Sequence, residues 1–188
     1  MGSNLNLVSR PDTGIEEWNR SADLFPDAWI WHRWEAIEAY ATWPNTTDVS
    51  FALLDPTTNQ PVALIPMRRV LGRWPAQRLT CRLESTAYSP ALSPRQRTHT
   101  ERDVRAGLLS LAKSEGAHRV ELAMAPLAPA RRDAGVTGVN PLALLGCADA
   151  STQSWILDLA ERSEDELWRN LEHRVRKTVN KAERGGVT

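Results

Sequence analysis

Residues 152–188 read TQSWILDLAERSEDELWRNLEHRVRKTVNKAERGGVT, and two structural periods meet in them. Trp155, Leu157 and Leu159 alternate, the spacing of a strand with one face in a core. From Ser163 the period becomes helical. Ser163 and Glu166 stand at capping-box spacing, which starts the expected helix at Glu164, and Gly185-Gly186 stops it. Glu164 and Asp165 suit the positive end of the helix dipole, and Lys181 and Arg184 suit the negative end. With successive side chains about 100° apart, Leu167, Leu171, Val175, Val179 and Ala182 share one stripe, expected to face a core.

Arg174, Lys177, Lys181 and Arg184 fall together on one flank of that stripe, with Glu172, Arg176 and Glu183 on its other side. A helix that needs only solubility intersperses its charges so that opposite signs pair at i to i+4. A flank of one sign attracts phosphate instead, and an arginine binds it with two parallel N–H groups. These four residues are therefore the candidate phosphate-binding set. The alternative is a solvated flank that merely complements the dipole.

Upstream, strand and helix signals alternate. Ile15 to Ala22 reads as a short helix, and Asp27 is placed to cap a longer one that carries Ile30, Trp34, Ile37 and Ala41 at helical spacing. Trp29, Trp31, Trp34 and Trp43 crowd this region; such residues stack on a nucleobase or sugar, or line a core face. Val49, Phe51 and Leu53 alternate up to a turn at Asp55 to Gln60, and Val62 to Val70 returns, so a β-hairpin is expected, with Pro66 at an edge or bulge. Arg78 to Glu84 makes a further strand, Thr100 to Glu115 a helix stopped by Gly116, and His118 to Met124 another strand. Pro126 to Ala150 reads as a crossover with a brief helix after Pro141.

The chain has 188 residues, enough for one substantial core and the start of a second. It carries 23 Lys plus Arg against 23 Asp plus Glu, so no global charge argues for nucleic acid or an anionic membrane, and any electrostatic site is local. Cys81 and Cys147 are far apart, with no CxxC and no histidine at ligand spacing, so neither a disulfide framework nor a metal site is expected. The stretch MGSNLNLVSRPDTG lacks the apolar core of a secretory leader, and no run approaches the ~18 apolar residues of a membrane span. A cytoplasmic protein with no integral membrane segment is the expectation.

Ile156-Leu157-Asp158-Leu159, the capped turn Ser163 to Leu167, Arg174-Val175-Arg176-Lys177 and Lys181-Ala182-Glu183-Arg184-Gly185-Gly186-Val187 together resemble the Fem-type (FemAB/FemX-like) peptidoglycan aminoacyltransferases and the related CelD/BcsL-like acyltransferases of cellulose biosynthesis. Both groups belong to the GNAT superfamily. The aromatic-rich segment Trp29 to Trp43, the returning strand Val62 to Met67 and the Tyr88-Ser89-Pro90 loop are compatible with the first half of such a protein. The resemblance implies an α/β fold with a mixed, largely antiparallel GNAT-like sheet flanked by helices and a long C-terminal helix. Residues 1–150 would form the N-terminal GNAT-like half, and 151–188 would lead into a second half missing from this chain. The implied activity is transfer of an acyl or aminoacyl group to an amine in cell-envelope or polysaccharide biosynthesis. Its donor would be aminoacyl-tRNA or acyl-CoA, and its acceptor a peptidoglycan precursor or another amine.

The GNAT pyrophosphate loop, Arg or Gln followed by x-x-Gly-x-Gly or Ala, is absent, since Arg184-Gly185-Gly186 lacks that spacing. Aminolysis of an activated acyl group needs a deprotonated amine, oriented reactants and a stabilised oxyanion. Asp158, Glu84, His32 and His118 have the right chemistry for a base, but none has a partner at readable spacing, and no catalytic residue is assigned. Two other readings are a non-enzymatic, truncated GNAT-like binding module and a nucleic-acid-binding domain that uses the basic helix.

Overall fold

The computed structural model describes residues 5–72, 77–81, 86–125, 141–150 and 162–186. The chain divides into two compact units, residues 1–152 and 153–188. The first is a mixed α/β structure whose sheets are largely antiparallel and flanked by helices. Strand β1 (Asn6–Ser9) runs into the single turn α1 (Arg10–Thr13) and then α2 (Ile15–Leu24). A 3-10 turn at Ile30–His32 precedes α3 (Trp34–Ala41). Six short strands follow: β2 (Thr46–Asp48), β3 (Phe51–Leu54), β4 (Pro61–Ile65), β5 (Arg68–Leu71), β6 (Gln77–Cys81) and β7 (Ala87–Tyr88). Helix α4 (Pro94–Ser114) then leads to β8 (Arg119–Leu122) and a 3-10 turn at Pro141–Leu145.

The expected hairpin is present: β3 and β4 pair antiparallel, with Phe51 opposite Ile65 and Leu53 opposite Ala63. Its alternation separates two cores, because every residue of β3 is buried. Ala52, Leu54 and Leu64 point with Ala87 toward Trp18, Ala22 and Phe25 of the α2 layer. Phe51, Leu53, Ala63 and Ile65 point toward Val104, Leu108 and Ala112 of α4. Pro66 interrupts the returning strand between β4 and β5, where a missing N–H breaks the ladder. The break passes the chain from one sheet, ordered β1-β3-β4-β7, to a second, ordered β2-β5-β6-β8. Among the described strands only β6 and β8 pair parallel, Arg78 lying opposite Arg119 and Cys81 opposite Leu122, since α4 carries the chain back to the start of the sheet.

Three expectations are corrected. No continuous helix runs from Asp27 through Ala41. Arg33 is extended (φ −67°, ψ 145°), and the indole N–H of Trp18 donates to the His32 carbonyl at 2.7 Å, removing that oxygen from a helical ladder. Helix α4 begins at Pro94 rather than Thr100, because Ser93 and Gln96 form a capping box ahead of a proline in the first turn. The long C-terminal helix is two helices, α5 (Glu164–Asn170) and α6 (His173–Arg184). Leu171 between them is extended at φ −68°, ψ 140°.

Candidate anion-binding site

In the second unit α5 starts as expected. The Glu166 N–H donates to Ser163 Oγ at 3.3 Å, and the Ser163 N–H donates to Glu166 Oε2 at 3.0 Å. The Ser163 N–H first, and then the Ser163 hydroxyl, hold the Glu166 carboxyl below its ordinary value. Helix α5 then ends after two turns, and the extended Leu171 and Glu172 redirect the chain into α6. The bend brings Trp168 over one face of α6. Trp168 and His173 close one end of an open depression of about 570 Å³, Arg176, Lys177, Asn180 and Lys181 run along it, and Arg184 ends it.

Lys177, Lys181 and Arg184 from the sequence-derived set thus share one surface, at i, i+4 and i+7. Arg174 does not line it. Arg176 does, although it was placed across the stripe from the chosen flank; it stands three positions after His173 and four before Asn180, on the helix face that lines the depression. His173, Asn180 and Trp168 also line the depression without having been anticipated. Only the bend at Leu171 joins Trp168 to this face, and no periodicity signals a bend. The apolar stripe departs from expectation as well: no residue of α5 or α6 is buried, and Val175 is exposed.

The electrostatics of α6 are unfavourable as they stand. Among the described residues no ion pair neutralises Arg174, Arg176, Lys177, Lys181 or Arg184. Lys177 and Lys181, one turn apart and of one sign, repel by about 0.2–0.5 kcal/mol. His173, Arg174 and Arg176 occupy the first turn, whose amides already form the positive end of the dipole, and Glu172 contributes no side-chain cap. An anion in the depression would offset the repulsion among the cations that line it.

The first unit holds its charges differently. The Arg10 side chain, 5% exposed as a residue, donates from Nε to Asp48 Oδ2 at 2.7 Å and stacks its guanidinium 3.7 Å from the Trp34 ring centroid. Arg97 pairs with Asp27 at 2.9 Å and lies 4.3 Å over the Tyr88 ring, so the residue expected to cap a helix ties the loop after α2 to α4 instead. Burial first, and then the charge of Glu101, push the Tyr88 phenol far above its ordinary value and keep it neutral. Arg69 pairs with Glu115 at 2.7 Å. Contacts spanning 38 or 70 positions leave no mark in a local pattern.

Of the residues with the chemistry of a base, His32 is fully buried and accepts at Nδ1 from the Trp29 N–H, which fixes the turn. His118 is exposed at the start of β8, whereas Glu84, Asp158 and the strand Trp155 to Leu159 lie outside the described residues. No described group of three His, Cys, Asp or Glu side chains is arranged to hold a metal. No helix among the described residues is long and apolar enough to cross a membrane.

No family model matches the chain, and no curated protein matches it in sequence. Among solved structures it is similar to a transcriptional regulator from Bacillus halodurans C-125, with a TM-score of 0.49 and 10% identity over 82% of this chain and 99% of that one. It is also similar to an acetyltransferase from Trypanosoma brucei, with a TM-score of 0.42 and 14% identity over 83% of this chain and 100% of that one. At such distances neither likeness carries a residue role or an activity to this chain.

Proposed function

We propose that this chain is the N-terminal part of a Fem-type acyltransferase of the GNAT group, which transfers an acyl or aminoacyl group to an amine in cell-envelope or polysaccharide biosynthesis. In this reading residues 151–188 lead into a second GNAT-like half, and Arg174, Lys177, Lys181 and Arg184 help to hold a phosphate-bearing substrate. The observation that carries the site is the cationic face of α6, with Lys177, Lys181 and Arg184 on one surface and no ion pair to any of them among the described residues. The mixed, largely antiparallel sheet flanked by helices is the arrangement expected of a GNAT-like half.

A long helix offers its N-terminus as the simplest alternative anion site. That of α4 is closed by its own side chains: the Gln96 N–H donates to Ser93 Oγ, and the Ser93 N–H donates to Gln96 Oε1 at 2.9 Å. The preceding loop is also satisfied internally, the Ala91 N–H donating to Ser89 Oγ. This leaves α6 as the better phosphate holder.

The test is transfer of labelled acyl groups, from acyl-CoA and from aminoacyl-tRNA, to amine acceptors by the chain together with a C-terminal partner half. Lys177→Ala with Lys181→Ala should lower kcat/KM about tenfold or more, the loss of roughly 1.4 kcal/mol of phosphate binding. Unchanged kinetics would remove α6 from the site. Full activity of residues 1–188 by themselves would remove the two-half reading.

A nucleic-acid reading is favoured by one feature, the side-by-side placement of Trp168 and the cations. RNA binding with a steep salt slope that flattens in the same double variant would support it.

A further inference from the structure

We propose that the surface around Trp43 binds a neutral saccharide. The tryptophan-rich segment divides in the structure. Trp18 is fully buried, Trp29, Trp31 and Trp34 are half-buried, and Trp43 is 60% exposed at the end of α3. Trp43 is nevertheless fixed. Its backbone N–H donates to the Tyr40 carbonyl, its ring meets the Tyr40 ring edge-on with centroids 4.9 Å apart, and Tyr40 meets Trp31 at 5.2 Å. Behind Tyr40 the buried Arg68 guanidinium lies 4.1 Å from the ring centroid. An exposed indole held in one orientation keeps a large apolar face in water and has already lost the rotamer freedom that binding would otherwise remove.

The groups beside that face define its ligand. Residues 41–47 read ATWPNTT and carry no charge. Asn45, exposed and in the left-handed region at φ 61°, offers an amide with both donors and an acceptor. The Thr42 hydroxyl already donates to the Ala39 carbonyl at 2.7 Å and that of Thr46 to the Pro44 carbonyl at 3.4 Å, so what each has left to offer a ligand is its acceptor capacity. An apolar ring face in an uncharged loop that carries neutral acceptors and one amide complements a pyranose, with C–H groups on its face and hydroxyl donors at its rim. Among the described residues the cations of the adjoining strand β5 are committed, Arg68 buried against Tyr40 and Arg69 paired with Glu115, so they do not favour a nucleotide.

Binding to such a shallow platform belongs in the millimolar range, about 4 kcal/mol. The experiment is a chemical-shift titration of the whole chain with cellohexaose, chitohexaose and galactohexaose, with uridine monophosphate as the charged planar probe. Saturable binding of at least one hexaose is expected, with shifts at residues 42–47. Trp43→Ala should weaken it about tenfold or more, while Trp43→Tyr retains part of it. Unchanged shifts in the first-unit core would show that both variants are folded. Failure of all three sugars to bind in a Trp43-dependent way overturns the proposal. So does Trp43-dependent binding of uridine monophosphate alone, or Trp43-dependent self-association without sugar. The measurement needs no transfer activity and stands or falls separately from the acyltransferase reading.

Discussion

Trp18 joins three parts of the first unit through one side chain. Its ring is fully buried among Ala22, Phe25, Ile37 and Leu64 of the α2 core. Its N–H reaches across fourteen positions to the His32 carbonyl, at the turn where the chain leaves the helical path. Removing the ring loses both the burial and the cavity it fills, so Trp18→Ala should cost about 3–5 kcal/mol in urea unfolding. Trp18→Phe separates the two contributions. It keeps most of the apolar volume but leaves the buried His32 carbonyl without this donor, and should cost about 1–3 kcal/mol. A Phe variant as unstable as the Ala variant would show that the hydrogen bond dominates rather than the packing.

Elements that formed where local rules place them share a property: their signals lie within one turn of chain. The Ser163 to Glu166 capping box is one case, and its carboxylate carries a pH prediction. The folded-state value of Glu166 lies below the ordinary 4.5, so its contribution is present above that value and lost as pH falls through the lowered one. Carbon-detected titration should therefore give a Glu166 midpoint under 4.5, with loss of helical shifts in α5 following it downward. Glu166→Gln keeps an acceptor for the Ser163 N–H and should preserve α5 without the pH dependence, whereas Glu166→Ala should fray it. A midpoint at or above the ordinary value would exclude the cap as its cause. The β3–β4 hairpin and the stop at Gly116 were legible for the same reason of locality. What sequence reading missed depends on distant partners. The break before α3 goes with the Trp18 bond to His32, the bend at Leu171 has no residue that announces it, and Arg176 joins the cationic face because that face lies opposite the apolar stripe rather than on one flank of it. The set Arg174, Lys177, Lys181 and Arg184 was selected by angle alone, which is blind to the bend that sets the ends of the depression.

At the scale of the molecule, the first unit is built around strands that serve two cores at once. Leu64 and Ile65 are neighbours in β4, yet Leu64 packs with the α2 layer and Ile65 with the α4 layer. Both layers pack on β4, so loosening one face of β4 loosens the strand that the other face needs, although the α4 layer also rests on Leu79 and Cys81 of β6. Leu64→Ala and Ile65→Ala should each cost about 2–5 kcal/mol. Both should act on a single cooperative transition of the first unit, as expected for a domain of this size. Native-state hydrogen exchange distinguishes the alternatives: in Leu64→Ala the amides of α4, on the opposite face, should lose as much protection as those of α2. Full protection of α4 beside an exchanging α2 would mean that the two layers open independently. The sheet would then be a shared boundary between two folding units rather than the centre of one.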